Sequence, residues 1–538
     1  MSADKPTRVV GHSVTKVDGL SLATGAARFV ADDLPRGTLY AALLVSPHAH
    51  ANILSIDASE ALAMPEVKAV LTWKDVPRIA WTTAGQGYPE PSPYDAFCLD
   101  KKVRFVGDRV AAVAATTPEA AREALEKITV EYEVLPAIFD PRKAMDEGAP
   151  VIHDEPEARI PIPVPFDPSR NLASSVSASM GDVDAALAAS HVTMEGEYEF
   201  HQCQHCPMEP HVALTLLDER GRLEIRTSTQ VPFHVRRIVA ARLQMDAGRI
   251  RVIKPRIGGG FGAKQEVLIE DVCAALTLKT GRPVLLEYTR AEEFISSRTR
   301  HGMIIKLRTG ADADGKVTAI DLQVLMDSGA YGGHALTVSS NAGSKTLPLY
   351  RWNAIHFKAE TVYTNKPVGG AYRGYGATQA YFPLEVQMDQ LAEKLGMDPL
   401  AFRQMNHIQE GESSPIFEVL GEGKAGVAQS ITSCGLPECI TRGAEAIGWA
   451  TGRQREQTGP VRRGIGMAAL MQGSSIPEID MGAAWMKMND DGSFNLHVGA
   501  TDLGTGSDTV LSQIAAEVLT VSVDRIMCHS SDTDNTPF

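Results

Sequence analysis

The sequence predicts an α+β chain of several domains, and three observations predict it. Its 538 residues exceed what one hydrophobic core serves, since single cores stop growing near ~250–300 residues. From about residue 38, apolar runs of strand length alternate with helical patterns. One unit also occurs twice, as LEIRTSTQVPFHVRRIVAARLQMDAGRI and as FNLHVGATDLGTGSDTVLSQIAAEVLTVSVDRI. Each copy reads strand, small polar loop, helix, short loop, then Arg-Ile, the mark of an internal duplication that builds two facing lobes.

Along the chain, residues 1–20 read as an N-terminal tail and 21–138 as a first α+β module. Within that module TLYAALLVS and ANILSID are strands, SEALAM a helix and VKAVLTW a strand. VRFVGDRVAAVAA leads into the helix TPEAAREALEKI, with Thr117 as cap and Pro118 at its first position, and the strand TVEYEV follows. Residues 139–180 form a linker, in which the prolines of IPIPVPFDPSRN hold the backbone extended and withhold amide donors from any sheet. The second region, 181–455, holds the hairpins LDERGRLEI and GADADGKVTAI. It also holds a helix in which Ala377, Tyr381, Leu384, Met388, Leu391 and Leu395 make one apolar stripe. Gly396 ends that helix and Asp398-Pro399 opens the next. The third region, 456–538, places strands on both sides of the turn Asn489-Asp490-Asp491-Gly492.

Composition narrows the function. The formal charge of -14 argues against nucleic acid, whose phosphates reward a basic face. The cluster Arg453, Arg455, Arg462 and Arg463, beside glycines and a proline, reads as a solvated linker. No window approaches the ~18 uninterrupted apolar residues of a membrane span, and MSADKPTRVVGHSVTKVDG lacks the apolar core of an export signal, so a cytoplasmic location is expected. Seven scattered cysteines make neither a disulfide framework nor an iron-sulfur motif. The run His201-Gln202-Cys203-Gln204-His205-Cys206 has no second CxxC to complete a zinc site. Buried packing cysteines and hydrogen-bonded histidines are expected there instead.

Three glycine loops carry the chemistry. RIGGGFGAKQ, residues 256–265, fits neither the P-loop, because Ala263 precedes Lys264 and Gln265 follows it, nor the Rossmann pattern, because its glycines fall at 258, 259, 260 and 262. Its glycines still let a ligand approach the main chain, and a helix expected over 266–280 would point its free amides at that ligand. An anionic, phosphate-bearing group suits this design; a tight turn packed on a sheet is the plainer alternative. A second loop, Gly369 to Gly376, sets Arg373 and Tyr375 in a backbone without bulk, and a third, Leu503 to Asp508, again leads into a helix. Three such loops suggest one large, elongated, anionic cofactor.

GGGFGAK, AYRGYGATQ and DLGTGSDT, in this order and after an α+β module, resemble the large molybdopterin-binding subunit of the xanthine dehydrogenase and aldehyde oxidase family, from about residue 20 onward. The resemblance implies an N-terminal a/b hammerhead domain followed by a two-lobed molybdopterin-binding domain whose last lobe is incomplete. It implies a molybdopterin cofactor, as the cytosine dinucleotide, whose molybdenum takes no direct ligand from the protein. It assigns cofactor contacts to Gln230, Gly260, Phe261, Gly262 and Arg373, and to Gly504, Thr505 and Gly506 of the third loop. It assigns catalytic or substrate positions to Gln265, Arg373 and Tyr375. Taken alone, Gln230 before Pro232 is an ordinary capping residue and Tyr375 a core aromatic.

Several positions depart from the family pattern. Gln265 stands where xanthine-oxidising members carry a glutamate, which puts purine specificity in doubt. The arginine those members place upstream of AYRGYG has no match in 339–345. Gly374 replaces the cysteine of carbon monoxide dehydrogenases, and Thr505 replaces a common glutamine. The family's general-base glutamate lies in a stretch that nothing after Phe538 supplies. Either a second polypeptide brings it or the chain is truncated and catalytically dead. The expected function is oxidation of an N-heterocyclic, aromatic or aldehyde small molecule with water as oxygen source, electrons leaving through Fe-S and FAD partner subunits. The rivals are an inactive structural subunit and a phosphate-binding enzyme using Lys264.

Overall fold

The apolar run Leu39–Val45 pairs on one side with Arg109–Ala115, antiparallel, and on the other with Val284–Glu287, parallel with Leu39 opposite Val284. One seven-stranded mixed sheet therefore takes strands from both the first and the second expected regions. Its order is Ile250–Ile253, Leu223–Thr227, Val212–Leu217, Val284–Glu287, Leu39–Val45, Arg109–Ala115 and Val67–Leu71. Arg109–Ala115 is buried on both faces beyond Arg109, as its unbroken apolar run requires. The helix Pro118–Glu126 covers one face with Ala120, Ala121 and Ala124, and the Thr117 hydroxyl accepts from Ala120 N at 3.1 Å. The computed structural model describes residues 6–85, 87, 89–453, 458–473 and 481–538. Arg455 lies outside these; Arg453 is exposed and its guanidinium sits 4.6 Å from the Trp449 ring centroid.

A second sheet, ordered Leu172–Met180, Ala354–Val362, Val317–Asp327, Gly302–Ala311 and Val192–Phe200, carries the largest core. The expected striped helix forms over Ala377–Lys394 and buries Ala377, Tyr381, Leu384, Met388 and Leu391 against it. Gly396 turns the chain at φ +64, and the Asp398 carboxylate caps Pro399–Asn406 by accepting from Leu400 N and Ala401 N. Residues 160–166 carry no helix or strand, in keeping with their prolines, but the last part of the expected 139–180 linker, Leu172–Met180, is a strand of this sheet paired with Ala354–Val362.

The duplication is visible in the register. In the first copy Leu223–Thr227 pairs parallel with Ile250–Ile253, Leu223 facing Ile250, with the helix Pro232–Arg242 as crossover. In the second, Phe494–Val498 pairs parallel with Ile526–Ser530, Phe494 facing Ile526, with Ser507–Leu519 as crossover. An antiparallel strand precedes each, Val212–Leu217 and Ala484–Met488. The copies meet through their last strands: Lys254 N donates to Ser531 O, Thr533 N donates to Val252 O, and Arg251 pairs with Asp532 at 2.6 Å.

Candidate functional site

The first glycine loop leaves the strand Ile250–Ile253 and doubles back because Gly259, Phe261 and Gly262 all take positive φ, at +99, +54 and +101. For phenylalanine that conformation is strained, and such strain clusters at functional sites. Glu209 clamps the loop at both ends, its Oε2 accepting from Gly258 N at 2.9 Å and from Lys264 Nζ at 2.7 Å. Lys264 is wholly buried, which holds its ammonium below the usual lysine range against the pull of Glu209. A lysine locked in this way does not reach a nucleotide phosphate.

Gln230 does not cap the following helix. Its Oε1 accepts from Gly262 N at 2.9 Å, its backbone N donates to Lys264 O at 2.8 Å, and no side chain caps Pro232–Arg242. A Cβ on Gly260 would sit 2.6 Å from that Oε1, so a side chain there would push the Gln230 amide off Gly262 N. The second loop docks on the first: Arg373 N donates to Phe261 O at 2.9 Å, and a Cβ on Gly262 would lie 2.6 Å from Ala371 O. Arg300 fixes the Arg373 carbonyl at 3.0 Å, and its guanidinium lies 3.8 Å from the Tyr372 ring centroid. His205 stacks on Tyr372 at 4.0 Å and donates from Nε2 to Ala371 O at 2.7 Å. Burial pushes His205 down to about 4, so the ring is neutral. Gln230, Gly260, Phe261, Gly262 and Arg373 are thus brought together, with the Phe261 and Arg373 side chains exposed. Gln265 is half-buried beside them, its amide 3.5 Å from Gly85 O, and Tyr375 packs partly against the core.

The third loop joins through a cavity. A space of about 600 Å³ is lined by Lys254, Arg256 and Ile257, which lead into the first loop, and by Asp502, Gly504 and Asp508. Lys254 Nζ donates to Asp502 O at 2.8 Å. The Asp502 carboxylate gathers Gly504 N, Gly506 N and Asp508 N at 2.7, 3.3 and 3.2 Å, bracing the loop from behind. Its other side stays open: Thr505 is exposed and a Cβ on Gly504 would meet nothing within 4 Å. The strained turns and open loop surfaces leave space for a pterin group, and the cavity lining sets the cations Lys16, Lys254 and Arg256 among the carboxylates Asp18, Asp502, Asp508 and Asp532.

Two expectations are corrected. The helix starts at Glu270, not Glu266: Glu270–Thr280 is the helix, and Glu266 continues extended. Glu266 is taken instead by buried partners, accepting from Thr83 Oγ1 at 2.7 Å, from His334 Nδ1 at 2.9 Å and from Arg298 Nε. The amides ahead of the helix, Leu268 N and Ile269 N, are satisfied by Glu270 Oε2 at 3.1 Å each, and the first turn of the helix is buried. Second, Cys203 and Cys206 are exposed rather than packed inside, although His205 is hydrogen-bonded as expected. Among the described residues no group of three or more His, Cys, Asp or Glu could hold a metal ion. A thiol-reactive dye is expected to label Cys203, Cys206 and Cys439 in the native chain, read by peptide mass spectrometry. Cys98 and Cys273 should react only after denaturation, since burial pushes the Cys273 thiol up to about 12. Native labelling of Cys273 at the rate of Cys203 would contradict this packing.

Sequence reasoning missed the residues that brace the loops: Glu209, Arg300, Asp502, and the group of Glu266, Arg298 and His334. Of these, Asp502 alone has a local signal, an acid two residues before a glycine.

Residues 166–407 and 442–538 match the molybdopterin cofactor-binding domain, and residues 24–136 match the aldehyde oxidase and xanthine dehydrogenase a/b hammerhead domain. The chain is 40% identical to the probable hypoxanthine oxidase XdhD of Escherichia coli O157:H7, over 98% of this chain and 58% of that one. It is 35% identical to the nicotinate dehydrogenase large molybdopterin subunit of Eubacterium barkeri, over 79% of this chain and 96% of that one. The aldehyde oxidoreductase structure from Desulfovibrio gigas superposes with a TM-score of 0.85 at 28% identity, over 98% of this chain and 57% of that one. The chain thus spans little more than half the length of two of these relatives. On the strength of these matches and of the loops just described, the chain belongs to the xanthine dehydrogenase and aldehyde oxidase family of molybdopterin-binding proteins.

Proposed function

We propose that the chain is the cofactor-binding subunit of a molybdenum hydroxylase or dehydrogenase that oxidises an N-heterocyclic substrate with water as oxygen source. The observation that carries this is the interlock of Gln230, Gly262 and Phe261 with Ala371 and Arg373 beside an open third loop. The names of two relatives, a hypoxanthine oxidase and a nicotinate dehydrogenase, favour a nitrogen ring over an aldehyde or a simple aromatic. The molybdenum cofactor, in its cytosine dinucleotide form, supplies two-electron redox chemistry when bound.

This chain's residues position and polarise. Gln230 and the turn at Phe261 shape the metal end of the cofactor site, and the open side of Gly504, Thr505 and Gly506 with Lys254 receives its phosphate end. Arg373 offers an exposed planar fork to a carbonyl or anion. Tyr375 stacks on the ring, and Gln265 donates or accepts one hydrogen bond without exchanging a proton. Electrons leave through Fe-S and FAD subunits. A further stretch of polypeptide covers the apolar face Val510, Ile514 and Val518 of the helix Ser507–Leu519, which is exposed at 51%, 47% and 67%. No helix among the described residues is long and apolar enough to cross a membrane, and a cytoplasmic site of action goes with this reading.

Metal analysis of the purified complex tests the proposal. About one molybdenum per chain is expected; its absence from a correctly folded complex would leave a structural subunit as the better reading. The phosphate-binding alternative is disfavoured by the burial of Lys264 against Glu209.

A further inference from the structure

Glu266 and His334 form a buried pair directly under the start of the second loop. Both side chains are fully buried, and a Cβ on Gly370 would lie 2.5 Å from Glu266 Oε1. Burial pushes the Glu266 carboxyl up, but Arg298 and His334 outweigh it and keep the group ionised. An ionised carboxylate 2.9 Å from Nδ1 fixes that nitrogen as the donor. With its proton on Nδ1, the ring turns Nε2 to the side away from Glu266. That Nε2 is buried and has no hydrogen-bond partner among the described residues. Folded proteins rarely leave a buried ring nitrogen unpaired, because the lost solvation goes unreplaced. The His334 ring lies 6.4 Å from the ring of Tyr375, tilted by 40°, and Gln265 adjoins Glu266 in the chain. His301 also has unpaired nitrogens, but it abuts the backbone of Gly369 rather than an aromatic ring of the site.

We propose that His334 is a specificity-determining residue whose Nε2 accepts a ring N–H from a heterocyclic substrate stacked on Tyr375. This rests on the functional reading above and narrows it to lactam-type heterocycles, which carry an N–H beside a ring carbonyl. Glu266 is the positioning residue behind it, holding the tautomer.

The test uses the purified complex, 2-pyridone, which has the ring N–H, and N-methyl-2-pyridone, which lacks it. Dissociation constants are measured by titration calorimetry for the wild type, His334→Phe and His334→Gln. The wild type is expected to prefer 2-pyridone by about 10- to 100-fold, the worth of one buried hydrogen bond. His334→Phe should abolish that preference by weakening 2-pyridone alone, and His334→Gln should restore most of it. Equal weakening of both probes, a preference untouched by His334→Phe, or no binding of 2-pyridone to the wild type overturns the role of His334. Molybdenum content measured on the same samples separates the two readings. A loaded complex without the preference removes His334 only, whereas a metal-free complex that keeps the preference removes the redox function and leaves the binding site.

Discussion

Gly262→Val is expected to empty the cofactor site while leaving the fold in place. At φ +101 a β-branched residue is strained by about 1–3 kcal/mol. Its Cβ would also lie 2.6 Å from Ala371 O and 2.8 Å from Ala371 C, backbone atoms that no side-chain rotation moves aside. The two loops must part, and the Phe261 to Arg373 hydrogen bond parts with them. Molybdenum retained through purification should fall roughly ten- to hundredfold, with the far-ultraviolet circular dichroism unchanged. Gly248→Ala serves as control, because a Cβ there meets nothing within 4 Å. Full molybdenum content in Gly262→Val would mean that the loop contact does not shape the site.

Asp271→Asn should have the largest effect on stability. This carboxylate is fully buried on the helix Glu270–Thr280 and bridges Arg109 at 2.8 Å and Arg242 at 2.6 Å. Removing its charge leaves two guanidinium groups buried and uncompensated, a loss of about 3–5 kcal/mol for a pair broken from one side. Hydrogen exchange should report the loss in 109–115 and 270–280, which open together. There is a pH counterpart. Burial raises the Asp271 pKa and the two arginines lower it by more, so its folded value lies below the unfolded one of about 3.9. Its contribution is complete above pH ~4 and is lost as pH falls through the folded value. Wild type should therefore lose protection below pH ~4, and Asp271→Asn should show a flatter acid limb. Protection in the variant equal to wild type at pH 7 would show that the arginines find other partners.

Features that depend on neighbours in sequence are legible from the residues alone. The stripe from Ala377 to Leu391, the Thr117 and Asp398 caps and the repeated strand-helix-strand unit all follow from local periodicity and capping chemistry. The meeting of the first two loops is legible only as a resemblance, since nothing local says that Arg373 bonds Phe261. What failed depends on distant partners. The helix after the first loop starts four residues late because Glu266 answers Thr83, Arg298 and His334, each remote in the chain. Cysteine is commonly a buried residue type, yet Cys203 and Cys206 are exposed on either side of the buried His205, with Cys206 in the left-handed region at φ +51. His334 carries no signal at all, because a histidine ahead of an apolar helix is unremarkable until its second nitrogen is found unpaired.

The pairing of Leu39 with Val284 sets an order of events during synthesis. The strand Leu39–Val45 leaves the ribosome long before its parallel neighbour exists, and ring closure over so long a loop is entropically slow. In that interval the nascent N-terminal third displays an open hydrogen-bonding edge, the condition under which growing chains recruit chaperones or stick to one another.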